Sequence, residues 1–106
     1  MPTLLPSAVE QLRKRHPEVW KAFNELGDHG HKAAPLDEKS RRLVKLALSI
    51  GAGLEGATHS AARNARAGGV SDEEMEHVAL LAVTTLGLPD ATRAWTWVAD
   101  GNRPRK

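Results

Sequence analysis

Glycines interrupt the chain at intervals that leave four segments of helical length between residues 37 and 100. The interrupting residues are Gly51 and Gly53, Gly68 and Gly69, and Gly87. Glycine commonly lies just past the end of a helix, and apolar residues within the segments recur every three or four positions. The pattern therefore predicts helices over residues 37–50, 54–67, 71–86 and 89–100.

The composition also favours a helical chain. Three tryptophans, one phenylalanine and no tyrosine are present, so the aromatic residues that strands favour are scarce. Alanine, leucine and charged helix formers dominate instead. Two more helices are predicted near the amino terminus, over residues 6–16 and 17–27, followed by a loop over residues 28–35. The expected fold class is all-α, with about six helices.

Two helix starts carry clear local signals. Asp37 and Glu38 suit the first turn of one helix, and Ser71 and Glu74 have the spacing of a capping box at the start of another. The helix after Asp37 is apolar nearly all round, which predicts that it is the buried centre of the fold. Its apolar residues are Leu43, Val44, Leu46, Ala47, Leu48 and Ile50. The core residues expected after Ser71 are Met75, Val78, Ala79, Leu81, Ala82 and Leu86.

Length and charge limit the classes of protein to consider. The 106 residues predict a single domain, with amino-terminal helices in 1–35, a core in 36–100 and a polar tail in 101–106. The net charge is only +2, so no nucleic-acid partner is expected. The longest uncharged run, residues 78–89, is shorter than the ~20 residues that span a bilayer. Without a basic leader at the start, a cytoplasmic protein with no membrane partner is expected.

The chain has no cysteine. It therefore has no disulfide, no thiolate nucleophile and no cysteine-ligated metal. The absence of cysteine also fits a reducing compartment.

Glu55, His59 and Arg63 are spaced four residues apart, which places them on one face of a helix. A carboxylate beside an imidazole suits acid–base chemistry, because histidine titrates near neutral pH. A solvated pair worth ~0.2–0.5 kcal/mol to the helix is the alternative. The small neighbours Gly56, Ala57, Ser60, Ala61 and Ala62 permit either close helix packing or a hollow beside the pair.

Two other groups of residues are weaker candidates. Asp28, His29 and His31 offer metal-ligand atoms within the predicted loop, but neighbouring loop residues rarely complete a coordination sphere, so neither a metal nor another cofactor is expected. Trp95 and Trp97 lie about 200° apart on a helix. Trp95 is predicted to face the core with Ala91, Ala94 and Val98. Trp97 then lies at the edge, as an interface anchor, a pocket wall or a half-exposed indole.

Residues 54–74, LEGATHSAARNARAGGVSDEE, resemble the central motif of the carboxymuconolactone decarboxylase and alkylhydroperoxidase D-like family. In that family the motif helix ends in Gly-x-Ser/Thr, followed by an acidic helix start, as at Gly69 and Ser71. The resemblance covers about residues 36–100. It implies an alkylhydroperoxidase D-like helical domain that assembles as trimers or hexamers.

Family members with peroxidase activity carry Cys-x-x-Cys, a histidine four residues later and a glutamate on the preceding helix. The matching positions here are Leu54, Ala57, Ala61 and Arg42. None keeps that chemistry, so the chain is not expected to be a cysteine-based peroxidase. The sequence around Glu55 is instead similar to a cysteine-free branch with Glu-Gly-Ala-x-His.

The resemblance implies lyase-type acid–base chemistry on a small carboxylated metabolite. His59 would be the acid or base, Glu55 would orient it, and Arg63 would bind the substrate carboxylate. The alternative is a helical binding or assembly module that retains the fold without the site. A homo-oligomer, built on trimers, is expected in either case because the chain is small and its helices are rich in small residues.

Overall fold

The computed structural model describes residues 4–33 and 35–100. These residues form six helices and contain no strand, which confirms the all-α prediction. The helices are α1 (Leu4–Arg15), α2 (Pro17–Lys32), α3 (Glu38–Gly51), α4 (Glu55–Ala67), α5 (Asp72–Leu81) and α6 (Leu88–Asp100). None of the helices described has both the length and the hydropathy that crossing a bilayer requires.

The helices belong to two compact units, with α1 and α2 in the first and α3 to α6 in the second. In the first unit, α1 packs against α2. In the second, α3 and α6 each pack against both α4 and α5, so α4 and α5 lie diagonally across a four-helix bundle. Buried apolar residues fill its centre: Leu46, Ile50, Ala62, Ala65, Val70, Met75, Ala79, Ala82, Ala91, Ala94 and Val98.

The local signals at the helix starts are confirmed. The Asp37 carboxylate accepts a hydrogen bond from the Ser40 N–H at 3.2 Å. The Ser71 hydroxyl accepts from the Glu74 N–H at 3.0 Å, and the Glu74 carboxylate accepts from the Ser71 N–H at 2.9 Å. Before this box, Gly69 has a φ of +96°, a conformation that glycine adopts without strain. The tight connection from α4 to α5 depends on both features.

Two predicted helix ends are wrong. Helix α2 continues through Gly27 to Lys32, and therefore replaces most of the loop predicted over residues 28–35. A glycine inside a helix costs only ~1 kcal/mol, and no proline follows until Pro35. Helix α5 ends at Leu81 rather than Leu86, because the chain turns more tightly from there. The Thr85 hydroxyl donates to the Leu81 carbonyl at 2.9 Å, where it helps to hold this turn.

The prediction that α3 is buried on all sides is also wrong. Leu46 and Ile50 are buried and Leu43 is half-buried, whereas Val44, Ala47 and Leu48 are exposed. Within the second unit α3 packs mainly against α4 and α5, and this packing leaves these three apolar side chains exposed. Similarly, α5 buries Met75, Ala79 and Ala82 but leaves Leu81 and, just beyond its end, Leu86 exposed.

Two leucines on α3 allow a matched test of this packing. Leu46 is 0% exposed and Leu48 is 67% exposed. We expect Leu46→Ala to lower the free energy of unfolding by about 2–5 kcal/mol, because it leaves a cavity in the core. Leu48→Ala should change it by less than about 1 kcal/mol. Urea unfolding followed by circular dichroism measures both, and equal losses would contradict this placement of the two side chains.

The capping box also predicts a pH dependence. The Lys39 ammonium beside Glu74, together with the Ser71 N–H that donates to its carboxylate, holds the pKa of Glu74 below its ordinary value of 4.5. A lowered carboxyl pKa stabilises the fold above the ordinary value, and that stabilisation is lost as the pH falls through the folded value.

We therefore expect Glu74→Gln to flatten the decline in unfolding free energy below about pH 4.5, because glutamine cannot be protonated in this range. Glu73→Gln is the control, since Glu73 forms no ion pair with another described residue. Urea unfolding at several pH values tests the expectation. The same slope in wild type and Glu74→Gln would refute it.

Candidate functional site

Helix α4 carries the three residues of the predicted acid–base site. It begins at Glu55, after a turn in which Gly53 has a φ of +71° and Leu54 is extended. Glu55 lies in the first turn, where a carboxylate interacts favourably with the helix dipole. Because α4 is a regular helix from Glu55 to Ala67, the spacing of four residues places His59 one turn above Glu55.

Glu55 and His59 approach each other closely. The His59 Nε2 atom lies 3.6 Å from the Glu55 Oε2 atom, which is within ion-pair range but longer than a hydrogen bond. The Glu55 side chain is 62% exposed and the His59 side chain 30% exposed. Although part of the imidazole reaches solvent, its Nε2 atom is buried and has no hydrogen-bond partner among the described residues. The pair therefore combines an accessible carboxylate with a shielded, unsatisfied nitrogen.

The small residues around the pair serve helix packing. Ala62 is buried in the core, and Ala61 packs against the core from a half-buried position. Thr58 is fully buried, and its hydroxyl donates to the Leu54 carbonyl at 2.7 Å. The sequence left two alternatives for the small residues, close helix packing or a hollow beside the pair. Close packing accounts for those on the side of α4 that faces α3 and α6. The pair itself lies beside this packed face.

Arg63 is exposed one turn beyond His59. Its side chain forms no hydrogen bond or ion pair with another residue in the described part of the chain. The structure therefore brings Glu55 and His59 together, whereas Arg63 shares their helix without an ion pair to Glu55. Its guanidinium group remains available for an anion from solution.

The residues at the peroxidase positions have other roles. The Arg42 Nε atom donates to a Glu38 carboxylate oxygen at 2.8 Å within α3. Leu54 is exposed, while Ala57 and Ala61 are half-buried on α4. Their side chains offer neither a nucleophile nor a proton carrier.

Asp28, His29 and His31 do not lie in a loop, because all three belong to the last turns of α2. Among residues 4–33 and 35–100, no three or more histidine, aspartate or glutamate side chains lie close enough to hold a metal ion. Here the predicted loop was wrong, and the side chains project from a helix instead of converging.

The prediction for Trp95 is wrong as well. Ala91, Ala94 and Val98 are buried as expected, but Trp95 is 42% exposed and Trp97 is half-buried. Trp95 lines an open apolar groove of about 380 Å³ between α5 and α6. The groove is formed by Ala79, Leu80, Val83, Ala91, Thr92, Trp95 and Thr96. The sequence carries a signal for this groove in two segments. Leu80 and Val83 are three residues apart near the end of α5. Thr92, Trp95 and Thr96 lie at helical spacing on α6.

A second groove of about 330 Å³ lies between α3 and α5. Its lining includes the exposed Val44 and Leu81 and the partly buried Val78. Neither groove includes Glu55, His59 or Arg63. The Glu55–His59 pair and the apolar grooves are therefore separate features of the second unit.

Comparison with known proteins identifies the family. The sequence model of the carboxymuconolactone decarboxylase family matches residues 17–100. The fold is similar to the apo crystal structure of a carboxymuconolactone decarboxylase family protein from Legionella pneumophila, with a TM-score of 0.78 and 22% sequence identity. That match covers 93% of this chain and 91% of the other. No curated protein matches the chain. Since the family match extends from the start of α2 to the end of α6, the chain belongs to the carboxymuconolactone decarboxylase family.

Proposed function

We propose that Glu55 and His59 form an acid–base pair that acts on a small carboxylated metabolite in lyase-type chemistry. One observation carries the proposal: the buried Nε2 atom of His59 has no hydrogen-bond partner in the described chain and lies 3.6 Å from the Glu55 carboxylate. A buried polar atom without a partner is rare in folded proteins and calls for an explanation. An acid–base role for His59 supplies one, because a proton on Nε2 would face the Glu55 carboxylate.

We infer a different task for each of the three residues. His59 is the acid or base that exchanges a proton with the substrate, and its partly exposed imidazole allows that contact. The Glu55 carboxylate orients the imidazole and stabilises the imidazolium that forms. Arg63, which is exposed and unpaired within the described residues, can bind a substrate carboxylate through two parallel hydrogen bonds.

Membership in the carboxymuconolactone decarboxylase family supports this choice of chemistry at the level of the family. The absence of cysteine excludes a thiolate mechanism, so acid–base catalysis uses the only proton-carrying pair that the motif retains.

An assembly module is the second candidate function, and the apolar surface of the chain favours it. Thirteen large apolar residues of the described chain are exposed. They are Leu12, Val19, Phe23, Leu26, Leu36, Val44, Leu48, Leu54, Leu80, Leu81, Leu86, Leu88 and Trp95. Some of them lie together, Leu80 and Trp95 along the α5–α6 groove and Val44, Leu81 and Leu86 along the α3–α5 groove. Apolar patches of this kind commonly mark interfaces. Under this alternative, the chain would form an assembly and would catalyse no reaction.

Substitutions in the pair separate the two functions. We expect His59→Ala to abolish, and Glu55→Gln to weaken, the response to small carboxylic acids, because each removes part of the proton relay. His77→Ala is the matched control, since His77 is an exposed histidine on α5. Thermal shift and carbon dioxide release, measured with a panel of keto acids and lactone carboxylic acids from pH 5 to 9, provide the readouts.

Circular dichroism confirms that each variant is folded. Loss of turnover in both pair variants, with an unchanged His77→Ala protein, would support the acid–base assignment. Identical responses of the wild type and the three variants would contradict the acid–base assignment. A wild-type protein that neither binds nor converts any member of the panel would favour the assembly module.

We also propose that the chain forms a homo-oligomer built on trimers. The exposed apolar residues support this proposal, because association would cover them and stabilise a small domain. Multi-angle light scattering on the wild-type protein should give a mass of three chains, or a multiple of three, at 11.5 kDa per chain. A mass of one chain at micromolar concentration would contradict the proposal.

A further inference from the structure

The hydroxyl group of Ser60 on α4 has no hydrogen-bond partner among the described residues. Serine and threonine side chains within a helix often donate to a backbone carbonyl one turn earlier. Ser49 and Thr58 do so here, at 3.0 Å and 2.7 Å. Ser60 is half-buried, and its oxygen is not one of the buried polar side-chain atoms that lack a partner, so solvent reaches it. The hydroxyl is therefore available to a ligand.

His59 and Ser60 lie on either side of Arg63 on the surface of α4. Arg63 follows Ser60 by three residues and His59 by four. Viewed along the helix axis, it therefore lies about 60° from Ser60 and about 40° from His59, in opposite directions. Side chains on a helix leave the backbone tilted toward its amino terminus, so that of Arg63 starts toward the turn that holds the other two. A carboxylate bound by Arg63 would lie near both the imidazole and the hydroxyl.

The surface of α4 between the imidazole and the hydroxyl is open. Gly56 lies one turn before Ser60 and, viewed along the helix axis, between His59 and Ser60. It is exposed and has no side chain. No side chain of α4 therefore occupies the position directly below the two residues. A small molecule held by Arg63 can extend from there toward the start of the helix, past both His59 and Ser60.

The chemistry of these groups specifies what such a molecule carries. The Arg63 guanidinium binds a carboxylate, whereas the neutral Ser60 hydroxyl can donate a single hydrogen bond to an uncharged oxygen. The Glu55 carboxylate lies beside the His59 imidazole at 3.6 Å. It follows Arg63 at a distance of two turns, roughly 12 Å along the axis, and would repel a second carboxylate at that end. A carbonyl oxygen, which accepts hydrogen bonds and carries no full charge, suits the position of Ser60.

We propose that Ser60 is a substrate-binding residue of the Glu55–His59 site and donates a hydrogen bond to a carbonyl oxygen of the carboxylic acid that Arg63 holds. The site then selects oxo acids over acids with an unsubstituted chain, because an analogue without the carbonyl leaves the hydroxyl without its partner. The proposal rests on the function proposed above and adds what the substrate carries besides its carboxylate.

Matched pairs of acids test this selectivity without requiring turnover. Levulinate and valerate have the same chain length and the same carboxylate, but only levulinate carries a carbonyl group. Pyruvate and propionate form a shorter pair that differs in the same way. Nuclear magnetic resonance titration of the isotope-labelled protein measures the affinity for each acid. We expect the wild type to bind the oxo acid of at least one pair more tightly by about three- to tenfold, the contribution of one neutral hydrogen bond.

Three variants assign the selectivity to its source. Ser60→Ala should lower the affinity for the oxo acid to that for the unsubstituted acid and leave the latter unchanged, in a protein that stays folded because alanine favours a helix. Ser49→Ala is the matched control, since the Ser49 hydroxyl donates to the Lys45 carbonyl within α3. It should keep the wild-type preference. Arg63→Ala should weaken the binding of both acids, because it removes the partner of the carboxylate.

The outcomes separate this proposal from the proposed catalysis. A preference that Ser60→Ala retains, or that Ser49→Ala loses as well, would overturn the role of Ser60 and leave the acid–base pair standing. Equal affinity of the wild type for the two acids of each pair would do the same. Loss of the preference in Ser60→Ala alone would support the binding role even in a protein without turnover, in which case only the catalytic assignment would fail. A wild type that binds none of the four acids would overturn both proposals.

Discussion

Close packing of α4 against α3 and α6 is the constraint on which the second unit and its candidate site depend. The buried residues of α4 are small: Thr58, Ala62 and Ala65 are all fully buried. Side chains of this size allow neighbouring helices to approach closely, and Thr58 avoids an unsatisfied hydroxyl by donating to the Leu54 carbonyl. His59 lies on the same helix, where its side chain is 30% exposed and its Nε2 atom is buried.

The sequence predicts features that depend on a few neighbouring residues. The cap at Asp37 and the capping box at Ser71 form as expected, because side chain and backbone are only three positions apart. The contact between Glu55 and His59 follows in the same way from the spacing of one helical turn. The end of α2 and the exposed side of α3 were not predictable locally. Gly27 does not end a helix when the following residues can continue it, and the buried side of α3 depends on where α4 and α5 lie.

The burial of the site also depends on residues that are distant in the sequence. Spacing places Glu55 beside His59, but only the packing of the bundle decides that Nε2 is buried and without a hydrogen-bond partner among the described residues. The tryptophans illustrate the same limit. The helical pattern places Trp95 and Trp97 on opposite sides of α6, yet it does not show that α5 leaves an open groove beside Trp95. A large apolar residue therefore faced outward where the pattern predicted burial.

The distribution of residue sizes connects the fold to assembly. Six of the eleven buried apolar residues in the described chain are alanines, whereas thirteen large apolar residues are exposed. Since hydrophobic stabilisation grows with the apolar area removed from water, a core rich in alanine leaves much of the available stabilisation outside the single chain. Association that covers those residues would stabilise the folded state by mass action. The exposed side chains of Glu55 and Arg63 lie outside both grooves, so an interface at either groove would leave these two residues accessible.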